Sequence, residues 1–236
     1  MKKLVRRVKT LARVLVGKDM IVRPELQCAT QRFGSDYGGW NVRAEQLRAD
    51  SVVYSFGVGE DASFDIALLK HFGLTVHAFD PTPKSIEWAK KQGFPSQFVL
   101  YEYGIANYDG HATFSPPDDP THVSHTMLER PTTKGRSITV PVKRLSTIMK
   151  ELGHSTIDLL KMDIEGAEYD VIKDIKSSGV RPRQLLIEFH HRFPNVGIAR
   201  TKEAIADVRS MGYRLFAVSS TNEEFCFAHG SGDMPR

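Results

Sequence analysis

Cysteine is almost missing from this chain: its 236 residues hold two, Cys28 and Cys226. Neither belongs to a C-x-x-C pair, which excludes a zinc ribbon, a dithiol redox motif and a disulfide framework. Both read as reduced thiols, with Cys226 in a core strand. Long apolar runs are missing too. Lys and Arg interrupt every hydrophobic segment, so no stretch reaches membrane-spanning length. Charge of one sign is not dominant either: 32 Lys and Arg stand against 28 Asp and Glu, and the net +4 is not gathered into one stripe. Nucleic acid is therefore not an expected partner. There is no internal repeat and no composition shift that marks a second large domain.

What remains is ordinary globular material, 41% hydrophobic and 25% charged, enough for one large α/β domain. We read residues 1–33 as a basic amphipathic extension and 34–236 as the domain. In Met1 to Lys18, Leu4, Val8, Leu11 and Leu15 fall at helical spacing between Lys2, Lys3, Arg6, Arg7, Lys9 and Arg13. Lys9 and Arg13 break any secretory h-region. Such a stripe favours packing on its own domain. Peripheral contact of residues 1–18 with an anionic membrane surface is the alternative. The expected location is cytoplasmic, with or without that surface association.

The organising stretch is Val52 to Asp80. A short apolar run ends at Phe56, Gly57 and Gly59 make a turn, and Ala62 to Leu69 suit a helix. A second apolar run ends at Asp80. This is a nucleotide-type βαβ unit, with a carboxylate placed to accept bonds from a ribose diol. Gly57-Val58-Gly59-Glu60-Asp61-Ala62 fits G-x-G-x-x-G/A, the dinucleotide spacing. Yet Glu60 and Asp61 would repel the pyrophosphate that such a turn receives at its helix N-terminus. S-adenosylmethionine has a ribose, an ammonium and a cationic sulfonium and no phosphate, so an acidic turn suits it. The plain alternative is that Glu60 and Asp61 only favour the helix start.

Around this unit, Gly34, Gly38 and Gly39 with Tyr37 and Trp40 predict a turn that lies over the cleft as a lid or merely wraps the domain. Val42 to Leu47 reads as a short helix. Downstream, strands at 97–103, 138–142, 157–162 and 184–189 alternate with helices at 82–92, 145–152, 167–177 and 201–211. Residues 116–136 read as a long surface loop in which Ser124 and His125 are candidate acceptor contacts. Tyr213 to Ser219 and Glu223 to Ala228 form a hairpin turned at 220–222. The pattern gives a doubly wound, mostly parallel sheet with an antiparallel C-terminal hairpin, and ligands are expected at strand C-termini.

Asp163, Glu188 and His190 end adjacent strands on that rim. A carboxylate or an imidazole there can take a proton from an attacking hydroxyl. The three also suit a divalent metal, as an oxygen- and nitrogen-rich set. The alternatives are that Asp163 caps the next helix, with Glu165 and Glu168 favouring its N-terminus, and that His190 and His191 are ordinary loop histidines.

The glycine turn, HAFDP at 77–81 and DLLKMDIEGAEYDVI at 158–172 together resemble the FkbM family of S-adenosylmethionine-dependent methyltransferases. The resemblance covers roughly 34–228, and Lys161 to Glu168 is similar to that family's K-x-D-x-E-G-x-E motif. Ser55 stands where the family commonly has Asp, leaving Glu60 or Asp61 to do its work. The resemblance implies a Rossmann-like seven-stranded domain of the class I methyltransferase type. It implies methyl transfer, commonly to a hydroxyl of a sugar or small natural product. Carried over, Gly57 and Gly59 approach the methionine part of the cofactor and Asp80 holds the ribose. Gly104, Ile105 and Ala106 lie near the adenine, and Asp163 near the reacting methyl. The expected partner is a small-molecule or glycan acceptor. The rival readings are an NAD(P)-dependent oxidoreductase and a non-catalytic protein that only binds S-adenosylmethionine.

Overall fold

The computed structural model describes residues 12–115, 126, 137–193 and 195–230. Most of the 116–136 loop, including Ser124 and His125, lies outside them, as does most of the basic N-terminal helix. At its described end that stripe is not covered by the domain: Leu15 is 88% and Val16 67% exposed. Among the described residues, no helix is long and apolar enough to cross a membrane.

A seven-stranded sheet forms the centre. In chain order its strands are β3 (Val53–Phe56), β4 (Val76–Phe79), β5 (Phe98–Tyr101), β9 (Leu159–Met162), β10 (Gln184–Glu188), β11 (Tyr213–Val218) and β12 (Glu224–His229). Their order in space is β11-β12-β10-β9-β3-β4-β5. The chain winds outward from β3 to β5, then returns to the other flank of β3 as β9. The two central strands therefore diverge in topology, and the crevice between their C-terminal ends is where such a sheet takes ligands. β12 runs antiparallel to both β10 and β11, as the hairpin pattern predicts.

Every residue of β3 and β9 is buried, because helices cover both faces of the sheet. Helix α1 (Ser63–Phe72) packs Phe64, Leu68 and Leu69 on one side. Helices α2 (Pro83–Lys91), α3 (Leu145–Leu152), α4 (Glu168–Ser178) and α5 (Gly197–Ser210) complete the layers. Aromatic rings run across the strands, with Phe56 on Phe79 at 4.3 Å and Phe79 on Tyr101 at 4.8 Å between centroids.

Three details differ from the sequence reading. The expected helix over Val42 to Leu47 is a strand end followed by one 3-10 turn. β2 (Trp40–Val42) pairs with β1 (Gln31–Phe33), and only Ala44–Gln46 is helical. Helix α5 begins at Gly197, four residues earlier than the apolar pattern suggested. The strand at 138 belongs to a separate three-stranded sheet of β6 (Gly104–Ile105), β8 (Ile138–Lys143) and β7 (Gly110–Phe114).

Residues 19–33 are tied to the domain. The Leu215 carbonyl accepts from the backbone N–H groups of Glu25 and Leu26. The Asp19 carboxylate is fully buried. It accepts from Arg192 (2.7 Å), Asn222 (2.6 Å) and its neighbour's N–H (2.9 Å), and His191 Nε2 lies 3.2 Å away. Burial alone would raise this carboxyl, but the bonds from Arg192, Met20 and Asn222 outweigh it and hold it below 3.8. Asp19→Ala is expected to lower stability by about 2–4 kcal/mol, since buried donors lose a charged acceptor. Because the folded value is depressed, this stabilisation is present above 3.8 and fades as pH falls below it. Urea unfolding at neutral and acid pH checks both points; an unshifted midpoint would make the strap passive.

Candidate active site

The turn after β3 is held from three sides. Gly57 N–H donates to the Phe79 carbonyl at 3.0 Å, and the Gly57 carbonyl accepts from Lys161 Nζ at 2.6 Å. Asp163 N–H donates to the Phe56 carbonyl at 3.1 Å. Gly57 has φ +84, and a Cβ there would stand 1.9 Å from the Asp163 carbonyl oxygen. No side chain fits, so glycine is required by contact as well as by φ.

Asp80 closes the turn. Its Oδ2 accepts from Val58 N–H and Gly59 N–H, each at 3.0 Å. Its Oδ1 accepts from Thr82 N–H (2.9 Å) and Thr82 Oγ1 (2.6 Å). The carboxylate, 4% exposed, thus fills its roughly four acceptor positions with protein donors. Asp61 accepts from Ser63 N–H at 2.8 Å and Ser35 Oγ at 2.7 Å. It thereby starts α1 and also ties down the 34–39 turn. Burial works to raise its carboxyl, but the Ser63 and Ser35 bonds prevail and lower it. Glu60 is more open and pairs with Lys84 at 3.8 Å.

The second half of the site follows β9. Helix α4 starts at Glu168 with Ala167 at its N-cap, so Asp163 does not cap it and faces the crevice instead. Glu165 follows with φ +51, an uncommon backbone state for a side-chain-bearing residue. Glu168 is fully buried and accepts from Gly166 N–H (2.8 Å) and His190 N–H (2.9 Å). It also faces His190 Nδ1 at 3.2 Å. His190 Nε2 lies 3.4 Å from Glu165 and 3.7 Å from Asp163. Burial alone would lower His190, yet the carboxylates of Glu168, Glu165 and Asp163 hold it well above 6.5. Glu188 is pushed up to about 9 by burial and by the nearby Asp163 carboxylate.

These pieces border one cavity of about 1020 Å³. Of the residues singled out in the sequence, Gly57, Gly59, Glu60, Asp61, Asp80, Gly104, Ile105, Asp163 and Glu188 line it. Ala106 does not; it packs with Ala112, Val140 and Val142. His190 stands behind Asp163 and Glu165 rather than on the wall. Tyr37, Gly38 and Trp40 also border it, as do Ser219, Ser220, Thr221, Glu223 and Glu224 of the hairpin. The acids on this wall are opposed by Arg32 and Lys161, its only basic residues among those described.

The methyltransferase FkbM domain matches residues 43–215. This chain belongs to that family. The relatives it resembles are distant. It is 25% identical over 186 residues to "Probable methyltransferase-like protein 24" of Rattus norvegicus, covering 78% of this chain and 43% of that protein. The Homo sapiens protein of the same name is 26% identical over 205 residues, with 82% and 48% covered. The "31-O-demethyl-FK506 methyltransferase FkbM" of Streptomyces tacrolimicus is 26% identical over 203 residues, with 73% and 76% covered. The chain thus spans less than half the length of either mammalian relative.

The FkbM motif now has physical content. Its Lys161 carries the glycine turn, its Asp163 and Glu165 face the cavity, and its Glu168 braces His190. The sequence reading gave Glu165 and Glu168 no site role beyond their places in the motif and, in its plain alternative, as charges near a helix start; the motif's fixed spacing was the signal for more. Ser55, where the resemblance leads us to expect Asp, is fully buried and off the cavity wall. The buried Asp65 of α1 lies near it, and burial raises its carboxyl against the smaller opposing effects of Lys161 and Ser55.

Two glycines separate strain from contact. Gly73 has φ +69 with open space where a Cβ would go, so Gly73→Ala is expected to cost about 1 kcal/mol. Gly57→Ala is expected to cost at least about 2 kcal/mol more, because the two strand ends must part. Denaturant unfolding of both variants checks this; equal losses would deny the close approach its role.

Proposed function

We propose that this chain is an S-adenosylmethionine-dependent methyltransferase that O-methylates a hydroxyl of a sugar or small natural product. The observation that carries the cofactor is the state of the turn amides. In a dinucleotide fold those N–H groups receive a pyrophosphate. Here Val58 and Gly59 donate to Asp80 instead. Glu60 and Asp61 add negative charge beside it, which suits a ligand with a sulfonium and an ammonium and no phosphate. This weighs against the NAD(P)-dependent oxidoreductase that the glycine spacing also allows.

When bound, S-adenosylmethionine supplies an electrophilic methyl group. The chain's own residues position and deprotonate. Gly57 and Gly59 leave room for the methionine part. The Thr82 hydroxyl has one proton for two acceptors, Asp80 Oδ1 at 2.6 Å and Ser85 Oγ at 2.8 Å. When it donates to Ser85, Asp80 has a lone pair open to a ribose hydroxyl. Gly104 and Ile105 border the adenine end, beside Phe79. Asp163 takes the proton of the attacking hydroxyl, while Glu188 anchors the acceptor and His190 positions Asp163 from behind. Alignment of acceptor, methyl and sulfur supplies much of the rate. An oxygen acceptor is favoured because the name of the Streptomyces relative describes O-methylation.

The test uses methyl-labelled S-adenosylmethionine and a panel of glycans and natural-product alcohols, with mass spectrometry reading the gain of one methylene. Asp163→Asn is expected to keep cofactor affinity and to lose about a hundredfold or more in turnover. Equal turnover in a folded variant would remove Asp163 from the chemistry. Binding without transfer to any acceptor would favour a non-catalytic binding protein.

A further inference from the structure

Asp163, Glu165 and His190 each bring one ligand atom to a common point, all within 4.8 Å of one another. Two donors about 2.1 Å from a shared ion stand about 3–4 Å apart. His190 Nε2 has that relation to Glu165 at 3.4 Å and to Asp163 at 3.7 Å. Both separations are longer than an ordinary hydrogen bond, and the buried Nε2 is aimed between the two carboxylates.

A second feature points the same way. The His190 side chain is 8% exposed, and its other nitrogen, Nδ1, faces Glu168 at 3.2 Å. Glu168 is itself fixed by the N–H groups of Gly166 and His190. A carboxylate on the far nitrogen is how proteins set the tautomer of a metal-binding histidine and turn its free nitrogen toward the ion. Placement is suitable as well: Asp163 and Glu165 line the cavity, while His190 closes the site from behind. An ion there would have protein on one side and open positions on the other for water or an oxygen of the acceptor.

We propose that Asp163, Glu165 and His190 form a site for a divalent cation of the Mg²⁺ or Mn²⁺ class. Two carboxylates, one imidazole and no thiolate suit such ions. The sequence grouped Glu188 with Asp163 and His190; the geometry puts Glu165 in that place and leaves Glu188 on the wall. The site shares Asp163 and His190 with the proposed function and rests on that reading of the crevice, while the cofactor turn at Gly57 and Asp80 supplies none of its donors.

The test titrates the full chain with MnCl₂ alone, following free Mn²⁺ by electron paramagnetic resonance. Saturable uptake of one ion per chain, competed by Mg²⁺ and weakened at least about tenfold in Glu165→Gln and in Asp163→Asn, is expected. Circular dichroism confirms that each variant folds. Absence of uptake by the folded protein at millimolar Mn²⁺, or uptake that both variants retain, would overturn the site. S-adenosylmethionine is titrated in a separate arm, so that loss of one assignment leaves the other readable.

Discussion

One carboxylate sits where an anion-binding turn would hold its anion. Asp80, at the end of β4, accepts from the N–H groups of Val58 and Gly59 and is anchored by Thr82. The turn is thereby given a negative lining from within the chain. It also takes its shape from this contact, because Gly57 can lie against the Asp163 carbonyl only while the turn is drawn toward β4 and β9. The glycine turn, the end of β4 and the acidic loop after β9 thus share one set of backbone contacts at the centre of the sheet.

Collecting acids at one crevice has an electrostatic cost that the fold offsets locally. Lys161, 6% exposed, bonds the Gly57 carbonyl beneath the turn and stands near Asp61 and Asp65. His190 does the same on the other side, between Glu168, Glu165 and Asp163. At Glu188, burial and the neighbouring Asp163 carboxylate outweigh the opposing pull of His190 and raise the carboxyl instead. The crevice therefore holds a surplus of negative charge that a cation-bearing ligand would relieve.

Much of the fold was legible from apolar runs. Val53–Phe56, Leu159–Met162 and Gln184–Glu188 are continuous hydrophobic strands apart from Ser55, Lys161 and the two ends of the last, as buried parallel strands are. The hairpin at β11 and β12 was legible from alternation. The strand end at Val42 was not, and a helix was expected over Val42 to Leu47 instead, because Val42 is claimed by a strand partner at Gln31 that no local pattern announces. The small sheet of β6, β7 and β8 escaped for the same reason: it depends on pairing between distant residues. In the site, residue types and motif spacing located Asp80, Asp163 and the glycines. They did not tell that Asp80 bonds the turn amides, or that Glu168 reaches across to His190, 22 positions away. The first contact belongs to the pairing of β3 with β4, the second to that of β9 with β10.

The central claim is that this crevice accepts an adenosyl ligand bearing a cation and rejects one bearing a pyrophosphate. Calorimetric titration of the intact protein with S-adenosylmethionine and, separately, with NAD and NADP tests it most directly. Saturable binding of S-adenosylmethionine with no heat from either dinucleotide is the predicted result. Binding of a dinucleotide with S-adenosylmethionine refused would contradict the account.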